Sequence, residues 1–195
     1  IQTKEKQILE EVSSKIVNTF IKSYDNPFEL HSYKKFNFKL LFKYTSVDTL
    51  LAFCKDLNNI KNDSNKYKLK NYLEVLFNLY TKEMEIEIVN IVLNFTKTDY
   101  GLNLGLINED EFIALLNLFE INNFEIILKE INNIDDLLKI YNIILDKAKK
   151  SIVSKKLEDI EISYVNKNSA FLAQELGFYE LSTRILKMFN DDETS

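Results

Sequence analysis

A chain of 195 residues with 46% apolar and 28% charged side chains has a globular balance, which excludes a disordered or membrane-like polypeptide. Its formal net charge of -5 disfavours broad nucleic-acid binding. Three glycines and one proline leave it short of hairpin turns and favour helices joined by Asn, Asp and Ser loops.

The length suits one domain, residues 1–195, better than two very small ones. Lys, Asn and Ile are abundant and Arg184 is the sole arginine. That skew is expected of an AT-rich coding sequence, so no single Lys or Asn carries an argument alone. Cys54, the only cysteine, sits among Leu50, Leu51, Phe53 and Leu57 and reads as a small buried hydrophobe that forms no internal disulfide. No apolar run reaches membrane-spanning length. The chain opens on Ile1, which fits a processed or trimmed form. A cytoplasmic address is the favoured expectation, with a surface-anchored or secreted form left open.

From Thr3 to Tyr24, Ile8, Val12, Ile16, Phe20 and Tyr24 recur every fourth residue with Leu9, Val17 and Ile21 beside them, which predicts an amphipathic helix. Asp25-Asn26-Pro27 ends it, and Pro27 suits the first position of a short following helix. His31, the only histidine, has no Cys, Asp or second His at ligand spacing and reads as a surface or partly packed residue. In Tyr33 to Tyr44, Lys35, Lys39 and Lys43 align at four-residue spacing beside the stripe Phe36, Leu40, Tyr44. Cations next to aromatics could grip phosphates and stack bases. The favoured reading is a helix with Phe and Leu inward and lysine stems along the rim.

Thr45-Ser46-Val47-Asp48 predicts a helix start with a hydroxyl cap and an early acid. Asn58 to Asn65 is a polar loop and the best candidate for an exposed, mobile connection. The sequons Asn62-Asp63-Ser64 and Asn94-Phe95-Thr96 read as accidents of an Asn-rich chain.

Tyr72 to Phe95 is the richest apolar run. Leu73, Leu76, Phe77 and Tyr80 keep helical spacing, widened by Val75 and Leu79, and Ile88, Val89, Val92, Leu93 and Phe95 follow the polar insert Thr81-Lys82-Glu83. Helices apolar nearly all round must be covered by others, so a helical hairpin is expected at the centre of the core. The alternation from Met84 to Ile88 also permits one short β excursion. Lys97 to Asn108 holds two of the three glycines and forms the longest connection. It fails as a calcium loop because, counting from Asp99, the turn-glycine and bidentate-Glu positions hold Leu104 and Asp110. Asn108 is expected to cap the next helix, with Glu109, Asp110 and Glu111 complementing its dipole.

Glu111 to Leu145 reads as helical, with Asn joints at Ile121–Phe124 and Ile131–Ile134 whose second Asn caps the next segment. The stripes are Phe112, Leu115, Leu116, Phe119; then Ile126, Ile127, Glu130; then Leu137, Ile140, Tyr141, Ile144, Leu145. The basic cluster Lys147 to Lys156 is expected to complement the C-terminus of that helical stretch. Leu157 to Val165 alternates as a short strand or a connector. Asn168-Ser169 caps a final helix from Phe171 to Phe189, and residues 190–195 form a flexible acidic tail. Within that last helix Ala173, Leu176-Gly177 and Tyr179 resemble the small-residue, Gly and Tyr usage of tetratricopeptide helices. The earlier helices do not repeat the spacing, so no regular solenoid is expected.

These elements add up to an all-α, single-domain irregular bundle of about seven to nine helices, built as stacked helical hairpins. There is no phosphate-cradling Gly loop, no Cys/His metal set and no nucleophile elbow, so neither an enzyme nor a cofactor is expected. The leading expectation is a non-catalytic protein-binding module: an adaptor, a surface receptor-binding domain or a toxin-neutralising immunity-type protein. Its acidic residues Glu83, Glu85, Glu87, Glu109, Asp110 and Glu111 would steer a basic protein partner. The alternatives are a nucleic-acid or anionic-membrane binder using Lys35, Lys39 and Lys43, and a helical regulatory domain of a longer protein. The oligomeric state is left open.

Overall fold

Hydroxyl and amide side chains start several helices of this chain, and aliphatic and aromatic runs bury them. The computed structural model describes residues 3–23, 38–59, 68–96, 109–162 and 165–192. Among these the protein is all-α, with eleven helices and no strand. The number exceeds seven to nine largely because the basic cluster forms a helix of its own and the expected final helix is two. None of the described helices is long and apolar enough to cross a membrane. Where one domain was expected, the chain divides into two compact units, Ile1–Tyr100 with Gly105–Glu111 and Gly101–Leu104 with Phe112–Ser195.

Unit 1 contains α1 (Lys4–Ser23), α2 (Phe38–Tyr44), α3 (Val47–Asn59), α4 (Lys68–Leu79) and α5 (Glu85–Thr96). The principal packing runs α1 on α2, α2 on α4, α4 on α5, α5 on α3 and α3 on α1, which closes a ring of five helices. The α4–α5 hairpin is present as expected, and its Leu73, Leu76, Leu79, Ile88 and Val92 are buried. Phe77, placed in the same stripe by spacing, is exposed. No strand forms at Met84–Ile88, because the Ile88 N–H already donates to the Met84 carbonyl at 3.0 Å as α5 begins. Ser46 caps α3 as predicted, its hydroxyl accepting from the Thr49 N–H at 3.2 Å. Cys54 is fully buried.

In two helices of unit 1 only part of the expected apolar face turns inward. On α1 the buried side is Ser13 and Val17, while Ile8, Leu9 and Val12 face outward. On α2, Leu41 and Phe42 go to the core and Leu40 is left exposed. Both segments carry apolar residues on two adjacent stripes, so periodicity defined each helix without choosing its inward face.

Unit 2 takes over α6 (Glu109–Leu118) from Phe112 and continues with α7 (Ile121–Lys129), α8 (Ile134–Ile143), α9 (Lys147–Asp159), α10 (Lys167–Glu175) and α11 (Tyr179–Asp192). The α9 helix packs on α7 and α8, α8 on α10, and α10 on α11. Phe112, Leu115, Leu116 and Phe119 are all buried, as their spacing predicts. Asn133 caps α8, accepting from the Asp136 N–H at 3.2 Å. The matching joint is corrected: α7 starts at Ile121 behind Glu120, which makes no side-chain cap, so Asn123 lies inside the helix. Leu157 continues α9 rather than opening a strand, and α11 runs to Asp192, into the expected tail. Pro27, His31, Lys35, the Asn62 sequon and the loop ahead of Glu109 lie outside the described residues.

Candidate functional site

The basic cluster Lys147–Lys156 does not close the preceding helix. Asp146 caps a new one, α9, by accepting from the Lys149 N–H at 3.0 Å. The cations of α9 then satisfy the ends of other helices. Lys149, only 3% exposed, donates through Nζ to the carbonyls of Leu116 at 3.0 Å and Asn117 at 2.8 Å, in the last turn of α6. The same ammonium lies 5.5 Å from the centre of the Phe124 ring. Two turns on, Lys156 Nζ reaches the Leu128 carbonyl at 2.5 Å at the end of α7, with Lys129 at 3.4 Å. Burial pulls the Lys156 ammonium below its usual range, against the opposing charge of Glu130. Such ends present unpaired carbonyls and partial negative charge, so a cation there answers both.

Arg184 of α11 repeats the arrangement at the end of α9. Its guanidinium donates to the carbonyls of Glu158 at 3.2 Å and Ile160 at 2.8 Å. It takes that position because the α10–α11 turn is held tightly. Gly177 adopts φ 89°, the Phe178 N–H donates to the Ala173 carbonyl at 2.8 Å and the Gly177 N–H to that of Gln174 at 3.1 Å. This pattern terminates a helix on a left-handed glycine. Phe178 turns inward, edge-on to Tyr141 with 4.7 Å between ring centres. Tyr179 turns outward and is 67% exposed.

Between the end of α9 and the start of α11 lies an open groove of about 740 Å³, lined by Glu158, Asp159, Tyr179, Glu180, Arg184 and the glycine turn. Three carboxylates and one guanidinium therefore line the groove, and that guanidinium is bound to carbonyls instead of to any of them. Among the described residues Glu158, Asp159 and Glu180 form no ion pair. Nor does any group of three or more His, Cys, Asp or Glu among the described residues converge as it would to hold a metal ion. The groove is a place of diffuse negative charge beside an exposed aromatic ring.

The acidic residues singled out from sequence fare unevenly. Glu83 is exposed, and its carboxyl is held below the usual range by its own backbone N–H, then by the Thr81 hydroxyl. Glu85 is corrected: it is 3% exposed and accepts from the Tyr80 hydroxyl at 2.5 Å, so it is an interior group rather than a steering charge. Glu87 is half-buried, and its charge adds to the burial that pushes the Cys54 thiol up to about 12. Asp110 is exposed and Glu111 half-buried, while the Glu109 side chain lies outside the described residues. On α2, Lys39 and Lys43 are exposed, the latter 5.6 Å from the Tyr44 ring centre. The groove itself was missed. Reading Gly177 as a helix stop would have placed Tyr179-Glu180 at a helix start and exposed it.

Comparison with protein-family models, with curated proteins and with solved structures found no match.

Proposed function

We propose that this chain is a non-catalytic helical protein-binding module whose groove between α9 and α11 takes a Lys/Arg-rich segment of a protein partner. One observation carries the reading: among the described residues Glu158, Asp159 and Glu180 form no ion pair beside the exposed Tyr179, while Arg184 in the same groove donates to the backbone carbonyls of Glu158 and Ile160. A basic side chain entering there would meet uncompensated charge, and its stem or guanidinium plane could lie on the tyrosine ring. Adaptor, receptor-binding and toxin-neutralising roles all use such a surface. The non-catalytic part of the reading rests on residue types. The one cysteine is fully buried with its thiol pushed up to about 12, far from the thiolate a nucleophile needs.

The test is fluorescence anisotropy with a labelled Lys/Arg-rich peptide across a salt series. We expect binding that weakens as salt rises, and about tenfold weaker binding in the Glu158→Gln, Asp159→Asn, Glu180→Gln triple variant, since each exposed charge pair contributes roughly 0.2–1 kcal/mol. Glu83→Gln with Asp110→Asn serves as the control and should leave affinity unchanged. Binding that is absent, or equal in the triple variant, contradicts the reading.

A second reading keeps one observation in its favour. Leu40 is 53% exposed between Lys39 and Lys43, so α2 could meet nucleic acid or an anionic membrane with cations around an apolar tip. The helix is only seven residues long and its Leu41 and Phe42 belong to the core, so its free surface is small.

A further inference from the structure

Among the described residues nothing covers the outward face of α1. Ile8 is 52% and Val12 49% exposed, with Leu9 beside them, and from Thr3 to Val12 only Glu10 is even partly buried. At about 100° per residue Ile8 and Val12 lie roughly 140° round the helix from the buried Ser13 and Val17, with Leu9 between the two sides. The helix therefore packs on α2 and α3 with one side and carries a second apolar seam on another. Half a helix exposed on all sides gains little from its own propensity, and stability of such segments normally comes from packing of the apolar face.

The seam reads Glu5, Ile8, Val12, Lys15 at spacings of three, four and three, which is the repeat by which two helices interlock. It is also self-complementary in one orientation. Run antiparallel against itself, Ile8 falls opposite Val12 and Glu5 falls opposite Lys15 at both ends. In a parallel pair each charge would face its own kind. Glu5 forms no ion pair among the described residues, and Lys15, whose Nζ is 3.0 Å from Glu11 on its own helix, remains largely exposed. From this pattern we infer that the occupant of the α1 face is the α1 helix of a second copy of the chain, packed antiparallel about a twofold axis near residue 10. A seam of about three turns falls short of the roughly 1,200 Å² that stable interfaces bury, so the dimer forms in a concentration-dependent way. The inference concerns unit 1 alone and does not depend on the groove of unit 2.

Sedimentation equilibrium of the full chain over a wide concentration range at low salt tests it. The expected result is a monomer–dimer equilibrium that Ile8→Asp with Val12→Asp abolishes while far-UV circular dichroism stays unchanged, since both side chains are exposed. Glu5→Lys alone and Lys15→Glu alone should each weaken association about tenfold by placing like charges opposite. The combined swap Glu5→Lys with Lys15→Glu should restore it. A single-chain mass at every concentration overturns the inference, as does a dimer indifferent to the aspartates. Failure of the combined swap to rescue overturns the antiparallel arrangement.

Discussion

The two units are held together by different means. In unit 1 five helices close a ring around Phe53, Leu73, Leu76, Ile88 and Val92, and the buried polar side chains among the described residues are the hydroxyls of Ser13 and Thr45, the latter donating to the Leu41 carbonyl at 2.9 Å, and the Glu85 carboxylate, which accepts from Tyr80. Unit 2 has an apolar core as well, from Phe112 and Phe124 to Ile185, but adds three cations on the ends of α6, α7 and α9. The difference bears on function. Arg184 keeps its charge while bound to carbonyls but makes no direct ion pair with the carboxylates beside it, and three carboxylates against one guanidinium leave the groove net acidic.

The comparison is broken most severely by Phe53→Ala, which should destabilise unit 1 by about 3–5 kcal/mol through the lost contacts and the cavity, as read by denaturant unfolding with native-state hydrogen exchange. Protection should fall in α3 and α5 and stay unchanged in α9 to α11; a uniform loss would mean that the units unfold as one. The counterpart in unit 2 is Lys149→Met, which keeps much of the volume but strands two carbonyls, at a cost of roughly 1–3 kcal/mol. Should that variant be as stable as the parent, the ammonium–carbonyl bonds are not what fastens α6 to α9.

Cys54 sharpens the contrast from the side of unit 1. Its folded thiol sits at about 12 against an ordinary value of 9.0, so its burial contributes stability that is complete below pH 9 and is lost as the pH rises toward 12. The stability difference between the parent chain and Cys54→Ala should therefore shrink above pH 9. A difference that stays constant to pH 11 would contradict the buried placement. Smallest is the cap of α8 in unit 2: Asn133→Ala should cost about 1 kcal/mol in denaturant unfolding, and a variant as stable as the parent would contradict that cap.

Helix content was legible because its signals are local. Ser46 and Asn133 announced their caps, and Phe112, Leu115, Leu116 and Phe119 announced a buried stripe through spacing alone. Which face turns inward was not legible where two stripes compete, as in Leu40 against Leu41 or Val12 against Val17, because the choice depends on helices distant in sequence. Glu85 shows the same limit for charge. One among three alternating acids is buried, and it accepts from the neighbouring Tyr80 hydroxyl, a pairing the alternation does not reveal. For the groove, the local clue was Gly177, and the decisive fact was not local: the guanidinium of Arg184 binds carbonyls 24 and 26 residues before it.

The most direct measurement is a ¹H–¹⁵N correlation titration of the full chain with a Lys/Arg-rich peptide at low salt. The account predicts shifts confined to Glu158–Ile160 and to the turn from Gly177 through Arg184, with α2 and the start of α5 unmoved. Shifts centred on Glu83 or Asp110, or a spectrum that does not change, would contradict it.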